Sequence, residues 1–309
     1  MAVTTDPFTG TDLAGFINEV WPGLVDQEMF AKSVFANFCS DISSYMSAGG
    51  DIAHIPDLFT NALTVSTQST EGAEITTAGP AQTDTTLTVD THKYTAYIVG
   101  DKDLVQISRN FNYSLEYAKK AAGGLSIALE DALAALWSNL STNSVGATSA
   151  ALSDLNVRQA VNKLADTNFD VQNEGAFFLR PTAFWTQIAG VAKFYDASIR
   201  GVMGTGSATT GGFPEKDFTR GLVGRFYGIP VYVSSRVVSA LQTFRNMLLL
   251  PECHRYALQT RGGSRVRVRS EDQLRNLGLL TVADIIYGVK TVREGAGVAV
   301  NTNNTATTS

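Results

Sequence analysis

Between Asn61 and Thr83 the chain consists largely of Thr, Ser, Gly and Ala, with almost nothing apolar to bury. The stretches around it, 51–56 (DIAHIP), 85–90 (TTLTVD) and 94–99 (YTAYIV), alternate in the manner of strands. An isolated two-stranded ribbon is marginal in water. Burial at roughly 25 cal/mol per Å² has to offset about 1–2 kcal/mol per residue of backbone ordering, and this sequence carries little to bury. A hairpin from about Gly49 to Lys93 is therefore expected to be mobile in a free subunit and to order against another chain.

Charge is segregated along the same chain. From Ser33 to His92 there is no Lys or Arg, against Asp41, Asp51, Asp57, Glu71, Glu74, Asp84 and Asp90. From Arg180 to Arg275 fourteen basic residues face six acidic ones. The two segments read as electrostatic complements. Arg265, Arg267 and Arg269 would share one face of a strand, because side chains two apart point the same way, while Val266 and Val268 turn to the core. Pairing between this row and Glu71, Glu74, Asp84 and Asp90 of a neighbouring subunit is the expectation, with individual partners left open. The net charge of −5 argues against a general nucleic-acid coat or a polybasic membrane anchor.

At 309 residues the length suits about two domains and a full core without staples. Charged residues make up 17%, against about 25% in average chains, consistent with surface hidden against other subunits. A broken helical pattern runs from Asp12 to Phe38, interrupted at Pro22 and Gly23, and reads as an arm. A long helix is expected from Asn112 to Leu140, with a bend or close backbone contact at Gly123-Gly124. Ser153 or Asp154 caps a further helix, residues 176–180 form a strand, and a strand pair from Leu222 to Val233 breaks at Gly228. Residues 201–212 read as a loop, 265–269 and 279–291 as strands, and 301–309 as a flexible tail.

Signals for catalysis and metal binding are missing. There is no G-x-S-x-G, H-E-x-x-H or C-x-x-C, and Gly204-x-Gly206 lacks the Lys-Ser/Thr of a phosphate loop. His54, His92 and His254 read as packed or surface residues, and Cys39 and Cys253 as buried free thiols. The carboxylate pairs Glu71/Glu74 and Asp101/Asp103 lack an apolar wall that would raise a pKa. No catalytic residue, cofactor or metal is expected. No basic residue precedes Lys32 and no apolar run follows Met1, so neither a secretory signal nor a membrane span is expected.

Arm, acidic hairpin, long helix, α/β region and returning β segment, in that order, resemble the major capsid proteins of tailed bacteriophages with the Hong Kong ninety-seven-type fold. Residues 49–56 resemble the start of that family's extended loop, and 86–90 through 97–103 its returning strand. Residues 112–140 resemble its spine helix, 224–235 its central axial strand and 283–293 its final strand. The resemblance implies an α+β fold divided into an N-terminal arm (1–48), extended loop (49–100), peripheral domain with spine helix (101–150), axial domain (151–262), peripheral return strands (263–300) and tail (301–309). It implies hexamers and pentamers of the chain itself in an icosahedral shell, with a portal at one vertex. The shell would enclose double-stranded DNA without sequence-specific binding, and assembly would take place in the host bacterial cytoplasm. The absence of Lys between Lys32 and Lys93 argues against the isopeptide crosslink some members form. A separate scaffolding protein is implied, with a decoration protein as a further partner. An encapsulin-like compartment shell and a tail-associated surface-binding β protein are the alternative readings.

Overall fold

The computed structural model describes residues 25, 29, 33–46, 49–57, 67, 71–72, 83–102, 113–188, 222–240, 243–260, 264–274 and 277–304. Most of the arm, the distal hairpin including Glu74, and the 201–212 loop lie outside the described residues. Within them two sheets share one continuous apolar core.

The first sheet is organised by β13 (Gly278–Thr291). Antiparallel β4 (Thr91–Gly100) pairs along one edge, while β12 (Arg267–Gln273) and then β11 (His254–Leu258) follow the other. β1 (Ser40–Asp41) extends the sheet in parallel beside β11. Alternation gives β13 two functions. Its odd positions Ala283, Ile285 and Tyr287 are buried beneath the long helix α2 (Tyr113–Ala135), where the Tyr287 hydroxyl donates to the Ala128 carbonyl at 3.3 Å. Its even positions face outward.

α2 buries Ala118, Ala122, Leu125, Leu129 and Leu133, at steps of three or four along one stripe. It runs unbroken through Gly123-Gly124, and a Cβ at the exposed Gly124 would meet nothing within 4 Å. The close contact anticipated there is not made at Gly124, which so only weakens the helix.

The second sheet has the order β5-β14-β10-β6-β8-β7, with the two-residue β9 (Ser239–Ala240) on β10. Its strands are β5 (Ser144–Gly146), β6 (Ala176–Leu179), β7 (Leu222–Phe226), β8 (Ile229–Val233), β10 (Thr243–Leu249) and β14 (Gly297–Asn303). Tyr227 and Gly228, with φ of 51° and 90°, form the two-residue turn between β7 and β8. Helix α3 (Asp154–Ala165) packs on β14, its start capped by the Ser153 hydroxyl accepting from Asn156 N–H.

Two boundaries differ from the sequence expectation. β11, placed with the axial segment 151–262, pairs with β13 in the first sheet. β14 returns to the second sheet against β10, so 301–303, expected in the tail, are paired strand. Both pairings join residues tens of positions apart, beyond the reach of local pattern.

The hairpin root also departs from the coreless expectation. β2 (Ile52–Asp57) and β3 (Thr83–Thr88) form a separate two-stranded sheet. Ala53, Ile55, Leu87 and Val89 bury against Ile42, Met46 and Ala257 of the same chain. The root is anchored by the Lys290 ammonium donating to the Thr86 carbonyl (2.6 Å) and by Gln259 donating to the Gly50 carbonyl (3.2 Å). It crosses β13 so closely that a Cβ at Gly288 would collide with the Thr88 carbonyl oxygen. Gly288→Ala is expected to cost about 1–3 kcal/mol through overpacking, whereas Gly124→Ala should gain about 1 kcal/mol from helix propensity. Urea unfolding of both variants measures the contrast, and equal effects would contradict the close crossing.

Candidate functional site

The outer face of the first sheet is covered at one end by the hairpin root and left bare at the other. Strand register places Arg267–Asp284–Tyr94, Arg269–Val282–Ala96 and Glu271–Leu280–Ile98 in three successive rows across β12, β13 and β4. Tyr94 and Ile98 are 70% and 46% exposed, so the rows present apolar surface to solvent. A shallow concavity of about 330 Å³ is lined by His92, Tyr94, Arg267, Arg269, Glu271, Leu280, Val282 and Asp284. At the β12–β13 turn Leu274 and Leu277 are 89% and 68% exposed, extending the apolar edge. An exposed apolar sheet face with a margin carrying both charge signs is the geometry of a protein contact surface.

The three arginines have different surroundings. Arg265 precedes β12, and its guanidinium meets Asp41 at 3.0 Å. Arg267 grips Asp284 with two bonds, Nε to Oδ1 at 3.0 Å and Nη2 to Oδ2 at 3.1 Å. Asp284 is 4% exposed and also bonds His92 Nε2 at 2.9 Å. A buried carboxylate between two bases is a structural device, because stripping it of its guanidinium would leave an uncompensated charge. Of the row expected to meet a neighbouring subunit, Arg265 and Arg267 therefore already hold carboxylates of their own chain. Arg269 is exposed on the open face, and Val266 and Val268 turn to the core as their alternation requires.

Among the acidic candidates, Asp84 meets His54 across the hairpin at 2.6 Å, and Asp90 accepts from the Thr91 hydroxyl at 3.1 Å. Glu71 is exposed at a turn whose next residue, Gly72, has φ of 84°. Glu74 lies outside the described residues. No contact within one chain brings these carboxylates to the arginine row among the described residues.

Sequence reasoning missed Glu130, which is 3% exposed on α2. Its carboxylate accepts three successive peptide N–H groups, Val34 (3.1 Å), Phe35 (3.0 Å) and Ala36 (3.0 Å). Burial pushes its pKa up and the three N–H groups pull it back, with burial dominant. It also missed Asp284, whose signal was its place in an otherwise apolar strand. His254 is buried, bonds the Thr291 hydroxyl at 3.1 Å and leaves its Nε2 without a partner; burial lowers its pKa to about 4. Cys39 and Cys253 are free and buried, and burial raises both thiols. Among the described residues no group of three His, Cys, Asp or Glu side chains could hold a metal ion, and no helix is long and apolar enough to cross a membrane.

No protein-family model and no curated protein matches the chain. Solved structures do. A chain from Mycobacterium phage Che8 is 18% identical, with 89% of this chain and 93% of that one covered and a TM-score of 0.61. A chain from the capsid of the cyanophage P-SCSP1u is 12% identical over 88% and 89% at 0.64, and one from the capsid of Ralstonia phage GP4 is 12% identical over 89% and 92% at 0.60. At these identities the likeness establishes the fold: an α+β architecture of the kind found in phage capsid chains.

Two stability measurements test these buried charges. Arg267→Ala should cost about 3–5 kcal/mol in the unassembled chain by stranding Asp284; a loss below 1 kcal/mol would mean the pair is dispensable. For His254 the folded chain binds fewer protons than the unfolded chain between pH 6.5 and about 4. Its contribution is therefore full above pH 6.5 and lost as pH falls through that window, with Glu130 acting in the opposite sense. The loss is about 3 kcal/mol from a shift worth ~1.4 kcal/mol per unit. His254→Asn should flatten urea midpoints between pH 6.5 and 4, and an unchanged pH dependence would contradict the assignment.

Proposed function

We propose that this chain is the major capsid protein of a tailed bacteriophage, closing as hexamers and pentamers into an icosahedral shell around double-stranded DNA. The observation that carries this reading is whole-chain similarity: phage capsid chains match along nearly their full length as well as along this one. A partial match would have fitted a shared module; this one fits a shared building block.

In this reading the architecture follows the Hong Kong ninety-seven-type plan. Residues 1–48 serve as the arm and 49–100 as the extended loop with its root on β13. α2 and the first sheet form the peripheral domain, and the second sheet forms the axial domain, with β14 joining it. The subunit is structural and not enzymatic. A portal occupies one vertex, a separate scaffolding protein directs closure, and a decoration protein is a further candidate for the outside. The net charge of −5 suits a container whose DNA slides and leaves.

The bare face supplies the subunit contact. Glu71 and the neighbouring acidic hairpin residues Glu74, Asp84 and Asp90 are the carboxylates proposed to meet the Arg265–Arg269 margin of another copy. Arg269 carries most of that role, since Arg265 and Arg267 already hold carboxylates of their own. Exposed pairs contribute only about 0.2–1 kcal/mol each, so repetition around a closed shell supplies the effect.

Electron microscopy of the purified chain, alone and with its scaffold, tests the function. Closed shells are expected. Monomers or trimers with ligand affinity and no shell would refute it in favour of a tail-associated protein, and shells built around enzymes would refute it in favour of an encapsulin-like compartment. Arg269→Glu should give a folded subunit that assembles more slowly, with partial rescue by Glu71→Lys. Normal assembly of Arg269→Glu at low salt would exclude the charge pairing while leaving the shell intact.

A further inference from the structure

The four-residue helix α1 (Phe35–Phe38) sits between the two sheets and is held by both. On the first-sheet side, α2 presents Glu130 to the N–H groups of Val34, Phe35 and Ala36. One turn earlier on α2, the Ser126 hydroxyl meets the Ser33 hydroxyl at 3.0 Å, and Ser33 donates to the Met29 carbonyl at 2.9 Å. On the second-sheet side, Phe35 stacks on Phe178 of β6 with ring centroids 4.4 Å apart, and Phe38 meets the same ring edge-on at 5.2 Å.

A helix of one turn has no stability of its own, since nucleation is the costly step. It stands because these two attachments hold it. The chain passes between the sheets at 136–143, 250–253 and 292–296, and these connections lie side by side: the Asn143 side chain donates to the Gly297 carbonyl (2.7 Å), Leu250 N–H to the Ala296 carbonyl (3.1 Å) and Val292 N–H to the Cys253 carbonyl (2.9 Å). The angle between the sheets is therefore set by these connections together with the core the sheets share, to which Phe35 and Ala36 belong.

We propose that residues 33–38 form a pin that, with these connections, sets the angle between the two sheets, and that Glu130 is the positioning residue that seats it. Loss of the Glu130 contact lets the pin leave as a unit while each sheet stays folded. The feature suits a switch because the carboxylate is bound by peptide N–H groups: such a contact is made or lost with the segment itself and requires no partner side chain to rearrange. The inference stands on the geometry of one subunit and is independent of what the protein assembles into.

Hydrogen exchange and inter-label distances on the full chain test it. In Glu130→Gln, the amides of 34–36 should exchange at least tenfold faster, with β10 and β13 unchanged. Spin labels at exposed Gln172 and Asp272, one beside each sheet, should give a broader distance distribution than in the parent. Unchanged exchange at 34–36, acceleration spread equally through both sheets, or an unaltered distance distribution would each overturn the proposal. If Glu130→Gln does not fold, Ser33→Ala and Ser126→Ala remove the neighbouring contact more gently. The same local acceleration is required of them, and its absence would equally overturn the pin.

Discussion

The alternation of β13 is the constraint on which the rest of the structure depends. Fourteen residues in one strand give two faces with different tasks. The inner face binds α2 through Ala283, Ile285 and Tyr287 and so fixes the long helix. The outer face takes the hairpin root at Ile286 and Gly288 and leaves Leu280 and Val282 uncovered. A slip of one residue would exchange these sets and expose the core. Asp284 guards that register, because only in the observed pairing does its carboxylate reach both Arg267 and His92.

Among the described residues, two buried carboxylates join separate elements of the fold. Asp284 ties β13 to β12 and β4, and Glu130 ties α2 to α1. Each has its lone pairs satisfied by donors from a distant part of the sequence, which offsets the cost of removing a carboxylate from water. The concavity on the open face sets a polar margin beside an apolar floor of Leu280 and Val282.

Local elements were legible in the sequence wherever a short-range rule decided them. Leu125, Leu129 and Leu133 announced α2, Ser153 announced the start of α3, and the Tyr227-Gly228 turn followed from the break at Gly228. What stayed hidden was decided by distant partners. Val298 and Val300 read equally well as an apolar end of the returning segment, and only β10 makes them a sheet interior. Ile42 and Met46 gave no sign that they would floor the hairpin root. The arginine row was legible as a face, yet its partners Asp41 and Asp284 lie far off along the chain, so two of its three members proved to be internally matched. Glu130 looked like any helical glutamate, since nothing local distinguishes a buried acceptor from a solvated one.

The central claim is that one end of the β4–β13–β12 face is left bare in the subunit because another copy covers it. Hydroxyl-radical footprinting of Tyr94, Ile98, Leu274 and Leu277, compared between isolated subunits and assembled particles, tests this directly. The account predicts strong labelling of all four side chains in the subunit and marked protection of at least Tyr94 and Ile98 in the particle, while Tyr45, 68% exposed elsewhere on the chain, serves as an internal reference. Equal labelling of Tyr94 and Ile98 in both states would contradict it.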